Sequence, residues 1–148
     1  MSKFMELDID NIARIGIMFM DGDSLENILL DAYGQTDYDF DMFYHCKAVI
    51  MKIERIDPSL KLTAVMWQLR PDNPDVVVPV VAGKQLPLTG WPATEVSSAI
   101  AAAFNGQWGA ILKRDNAGTS HYYPIKNSDA EIVGVLELLE DNNVVVDI

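Results

Sequence analysis

The last third of the chain carries the strongest constraint on any fold it can adopt. Trp108–Arg114, Thr119–Lys126 and Glu131–Leu139 read as strands, separated by Asp115-Asn116-Ala117-Gly118 and Asn127-Ser128-Asp129. Strand-period segments joined by such short polar turns cannot pair in parallel, so the three form an antiparallel meander. A meander has an apolar face to bury, and the rest of the chain must cover it.

That cover starts with helices. In Asp8–Met20 the residues Ile9, Ile12, Ala13, Gly16, Phe19 and Met20 fall on one helical face, and Ile15, Ile17 and Met18 widen it beyond a simple stripe. Such a helix wants partners on more than one side. A second helix is expected from Asp23, as its cap, to about Gly34; Glu26 stands at the capping-box position, and Leu25, Ile28, Leu29, Ala32 and Tyr33 repeat every three or four residues. From Lys47 the period reads as two: Val49, Met51 and Ile53 alternate with Ile50, Lys52 and Glu54. After the turn Asp57-Pro58-Ser59, Leu60–Leu69 alternates again, so a hairpin is expected. Arg70–Gly90 holds Pro71, Pro74, Pro79 and Pro87, which confines any strand at Val76–Val81 to an edge or an irregular pairing. Val96, Ile100, Ala103 and Phe104 mark a short helix, and Gly106 is placed to end it in the left-handed conformation. The expected class is α+β, with a five- or six-stranded antiparallel sheet flanked by helices in a profilin-like layer arrangement, as a single domain over residues 1–148.

Charge and cysteine narrow the function. With 11 Lys+Arg against 22 Asp+Glu the net charge is −11, and no basic run interrupts it, which argues against nucleic acid and anionic membranes as partners. Cys46 is the single cysteine, so no internal disulfide forms. The amino terminus lacks a secretory pattern, and the longest apolar runs, Ile15–Met20 and Val76–Ala82, fall far short of the roughly 20 residues of a spanning helix. A cytoplasmic protein is expected.

Candidate chemistry is sparse. Asp37, Asp39 and Asp41 stand two apart, but a calcium loop needs glycine where Met42 stands and a carboxylate where Ala48 stands. His45 and His121 with one cysteine make no structural zinc set. Ser120 beside His121 has no nucleophile-elbow context, and neither a Walker loop nor a dinucleotide fingerprint occurs. Cys46 beside Lys47 reads either as a thiol of lowered pKa or as a small buried hydrophobe. No metal, cofactor or catalytic residue is expected.

Tyr123-Pro124-Ile125, followed after the polar turn by Ile132-Val133-Gly134-Val135-Leu136-Glu137-Leu138, resembles the closing hairpin of the GAF family of small-molecule sensory domains. Leu25–Arg55 is similar to that family's opening, and Gln85-Leu86-Pro87-Leu88 to its middle, so the resemblance spans roughly residues 7–140. Its physical content is structural: Gly134 admits a bulge or a close neighbour, and Pro124 ends ladder pairing. The chain departs from the family's methionine sulfoxide reductases in having one cysteine. It departs from the bilin carriers in the order and place of His45-Cys46, and from the cyclic-nucleotide binders in lacking Asn-Lys and Asp-Glu pairs. The resemblance implies a non-enzymatic sensor that binds a small molecule between the sheet and the 70–104 crossover. Trp67, Arg70, Trp91, Trp108, His121 and Tyr123 are the expected ligand-binding residues, although strand alternation forbids Tyr122 and Tyr123 from sharing a face. The signal would pass to a separate output protein, and the unusually apolar first helix is expected to form a homodimer. The alternative is an assembly or adaptor module on the same fold with no ligand, recognisable by exposed apolar area on that helix.

Overall fold

The computed structural model describes residues 8–26, 40–70, 73–83, 94–95, 97–114 and 118–140. Helix α1 is Ile9–Met18, capped by Asp8, whose carboxylate accepts from the Asn11 backbone N–H at 2.8 Å. Residues 22–26 are helical, and α2 is Phe40–Arg55. After a 3-10 turn at Pro58–Leu60 come β1 (Leu62–Arg70), β2 (Asn73–Ala82), β3 (Thr94–Glu95), α3 (Ser98–Phe104), β4 (Ala110–Arg114), β5 (Gly118–Lys126) and β6 (Ile132–Glu140). The strands form one antiparallel sheet in the order β3-β2-β1-β6-β5-β4, so the last strand closes against the first. This is the expected α+β class.

Alternation divides the sheet cleanly. Ala64, Met66, Tyr123, Ile125, Leu136 and Leu138 pack under α1, residue Leu25 and α2, together with Ile12, Cys46, Ile50 and Ile53. Val65, Trp67, Val77, Tyr122 and Val135 face the other way, toward Ala99, Ile100 and Ala103 of α3. Burial on both faces explains why β6 reads as a nearly continuous apolar run.

The expected strand at 47–54 is overturned, because those residues belong to α2. Cys46, Val49, Ile50 and Ile53 are the buried positions, a spacing of three and four that the apparent alternation had hidden. A short apolar run carries both periods, and cover from α1 and the sheet selects the helical one. The hairpin is therefore β1 with β2, not 47–54 with 60–69. Two polar side chains of α2 hold it: Lys47 Nζ donates to the carbonyls of Ala82 and Gly83, and Glu54 Oε2 accepts from the Ala64 N–H at 2.8 Å.

Two smaller expectations also change. Asp21, not Asp23, caps the second helical segment, accepting from the N–H groups of Asp23 and Ser24 and from Ser24 Oγ. Asp23 instead accepts from the N–H and Oγ of Ser128, tying this segment to the β5–β6 turn. Phe19 leaves the buried face because α1 stops at Met18, and it is 69% exposed. The remainder of the second helix, to Gly34, lies outside the described residues.

The glycine readings find their mechanisms, whereas Pro124 does not end the β5–β6 ladder, which runs on past it, and interrupts pairing on the β4 side alone. Tyr122 O accepts from Gly109 N on the β4 side, so the nitrogen of Pro124, two residues on, points past the start of β4 while pairing to β6 continues through Lys126. Pro79 sits where β1 and β2 shift register, beyond the short pairing of β2 with β3. A Cβ on Gly134 would stand 2.7 Å from Leu25 Cδ2, so the residue admits a close neighbour. Gly106, at φ +102°, closes α3 with its N–H on Ala103 O.

Candidate functional site

Among the described residues, three regions hold polar or apolar groups in arrangements that packing alone does not demand. The first is inside the α3 face. Glu137 is buried on β6, and its carboxylate accepts from Trp67 Nε1 at 2.8 Å and from Ser120 Oγ. Glu137 and Ser120 are brought together by the β5–β6 register, in which Tyr122 is opposite Glu137 and Ser120 opposite Leu139. A buried carboxylate needs such donors, since desolvation without them is expensive. The Trp67 indole is thereby fixed as part of the core.

The second lies at the edge of the α1 face. A cavity of about 370 Å³ is lined by Asp8, Ile9, Asp10, Leu60, Gly109, Ile111, His121 and Glu140. His121 Nε2 is buried there without a hydrogen-bond partner, and Glu140 Oε1 is 3.8 Å away. Burial holds the imidazole below the ordinary histidine range, against the opposing pull of Glu140 and Asp10. Tyr123 donates its hydroxyl proton to Asp10 Oδ1 at 2.7 Å, and burial, then that bond, pushes the phenol pKa strongly upward. Gly109, at φ +81°, leaves room for Asp10, because a Cβ there would stand 3.2 Å from its Oδ1. Trp108 leans on Tyr123 with ring centroids 4.8 Å apart, and the Arg14 guanidinium lies 5.3 Å from the indole centroid.

The third is an apolar groove between α1 and α2, about 460 Å³, lined by Ile15, Gly16, Phe19, His45, Ala48, Val49, Lys52, Ile53 and Ile56. Gly16 sits at its floor, where a Cβ would stand 2.4 Å from Ile53 Cγ1, so any larger residue would force Ile53 or the helices to shift. Beside the groove Met18 is 75% exposed and Phe19 69%. Among the described residues no group of three His, Cys, Asp or Glu is placed to hold a metal ion, and no helix is long and apolar enough to cross a membrane.

The residues expected to bind a ligand do not converge on one hollow. Trp108, His121 and Tyr123 belong to the α1 face, and of these His121 lines the edge cavity. Trp67 is on the opposite face. Arg70 ends β1 beside a register shift, and Trp91 lies outside the described residues, as do Asp37 and Asp39. Tyr122 and Tyr123 face opposite ways, as alternation requires. Cys46 is fully buried, and burial, with Asp21 nearby, pushes its thiol up to about 12, the behaviour of a small hydrophobe and not of a nucleophile.

Sequence reasoning missed Glu137 and Asp10. Glu137 had a signal, being the one charged residue within Ile132–Leu139. Asp10 had none, because its role depends on Tyr123, 113 positions away.

No family model matches this chain, and no curated protein matches it in sequence. Among solved structures, one described as "structure of the GAF domain" is similar, with 12% identity and a TM-score of 0.46, covering 85% of this chain and 80% of that one. The fold class itself rests on the strand order and helix placement of this chain.

Proposed function

We propose that this chain is a non-enzymatic regulatory module that docks a protein on its α1–α2 face. The carrying observation is the exposed apolar strip Ile15, Met18 and Phe19, continuous with the groove above Gly16 and Ile53. Large exposed apolar side chains beside a concave apolar surface usually mark an interaction site. Ser120 and His121 are adjacent in sequence but project to opposite faces, so the hydroxyl serves Glu137 and these two do not form a Ser–His nucleophile pair. The homodimer through α1 belongs to this reading as one form of docking. Size-exclusion chromatography with light scattering, on wild type and Phe19→Asp, tests it together with the peptide titrations below. A Phe19→Asp protein that stays folded and keeps both its mass and all its binding would overturn it.

A second reading is favoured by the edge cavity: a small-molecule sensor in which His121 is the orienting group. The ligand would act by binding one conformation more tightly than another, since equal affinity shifts nothing. A thermal-shift screen of metabolites with His121→Phe as control tests this reading. Stabilisation that His121→Phe leaves intact would count against it.

A further inference from the structure

The docking reading leaves the occupant open, and the charge around the groove narrows it. The protein as a whole is strongly acidic, at −11, yet among the described residues the groove is lined by no carboxylate, and the charged or titratable ones that line it are Lys52 and His45. The two ends differ. Gly16 lies against Ile53 and Asp21 lies in the neighbourhood of His45, so α1 runs antiparallel to α2 and the His45 end already has a carboxylate nearby. The Lys52 end, between Ile15 and Ile56, has exposed cationic character beside an apolar floor.

Resting on the docking reading above, we infer that the groove receives an amphipathic helix of another protein, with its apolar stripe on Ile15, Phe19, Val49 and Ile53 and a carboxylate directed at Lys52. A helix laid in a groove uses apolar anchors at spacings of three and four, and complementary charge sets its orientation and speeds its encounter. A second copy of this chain fits less well. Its own α1 would bring Ile15, Met18 and Phe19 with Arg14 beside them, a like charge to Lys52. The Asp21 carboxylate that follows is turned to Ser24 and to its own backbone. Two copies at −11 each also repel at low salt.

The probe is a fluorescein-labelled 16-residue helical peptide with leucine on one face and glutamate flanking it, compared with the same peptide carrying lysine for glutamate and with a scrambled-leucine control. Fluorescence anisotropy on the full chain is expected to show the glutamate peptide binding at least tenfold more tightly than the lysine peptide at low salt, with the gap narrowing in 0.5 M salt. Lys52→Glu is expected to reverse the preference, and Phe19→Asp to remove binding of both. Met18→Glu serves if circular dichroism shows that Phe19→Asp is unfolded. Equal binding of the two helical peptides would overturn the acidic partner and leave the docking face standing. A wild-type dimer that Phe19→Asp dissociates would overturn it in favour of a second copy. Binding of no peptide by a monomeric protein would overturn both this inference and the reading beneath it.

Discussion

The two faces of the sheet are built on different principles. Under α3 the cover is thin, with Ala99 and Ala103 against the strands, and a buried carboxylate fastens Trp67 and Ser120 from within. Under α1 and α2 the cover is bulky and mostly apolar, with Leu25, Ile50, Ile53 and Tyr123; a buried Gln68 amide donates to the Leu25 and Val133 carbonyls, while toward the edges Lys47 and Glu54 hold the strand ends and Asp10 takes the Tyr123 hydroxyl. A face fixed by internal hydrogen bonds is specified geometrically and has little freedom to rearrange. A face held by apolar contact can leave some of that surface open, and α1 does so at Ile15, Met18 and Phe19. On the docking reading proposed above, the α1–α2 side of the sheet is the one with surface left for recognition.

The largest effect should come from breaking the α3 face. Glu137→Leu removes the buried acceptor of Trp67 Nε1 and Ser120 Oγ, at about 1–3 kcal/mol for each hydrogen bond lost there, and urea unfolding should show the loss. Glu137→Gln, which keeps an acceptor oxygen, should lose less. Equal stability of Glu137→Leu and wild type would mean that the carboxylate is not what fixes this face. On the other side, Gly16→Ala drives a methyl into Ile53 and should destabilise by about 1–3 kcal/mol while splaying α1 from α2. Ile53→Ala removes both clashing atoms, Cγ1 and Cδ1, so the double variant should lose less than the sum of the two single ones, and simple additivity would place the strain elsewhere.

A pH titration probes the edge between the faces. His121 binds its proton more weakly when folded than when unfolded, so the unfolded chain holds more protons between the lowered value and about 6.5. Stability should therefore fall as pH drops through that window, and His121→Gln should flatten this part of the profile. A profile identical in the variant would show that another group is responsible. Smaller still, Phe19→Asp should leave folding stability within about 0.5 kcal/mol, as for exposed sites that make no special contact, while altering recognition. Cys46 should resist alkylation at pH 8 in the native protein and react in urea, because burial keeps its thiol protonated.

Much of this was legible beforehand where the signal is local. The β4–β5–β6 meander, the Gly106 terminus and the opposite facing of Tyr122 and Tyr123 follow from turn residues and a period of two, which neighbours along the chain enforce. The α2 helix was not legible, because Cys46–Ile53 satisfies both periods and only the helical burial of Cys46, Val49, Ile50 and Ile53 decides between them. Within the expected ligand set, Trp67 faces away from Trp108, His121 and Tyr123 for a related reason. Sequence distance says nothing about sheet face once strands pair out of order, and β1 lies beside β6 while Trp108 belongs to the turn before β4.

Local chemistry by itself therefore determined the class, the closing strands, the breaks at proline and glycine, and the acidic surface, since each depends on residues within a turn or two of one another. The tertiary structure alone decided that Lys47–Glu54 coils, that Glu137 meets Trp67, that Asp10 meets Tyr123 and that Phe19 stays uncovered. Those outcomes are set by which surfaces arrive opposite one another when β6 closes on β1, and no short stretch of chain encodes that.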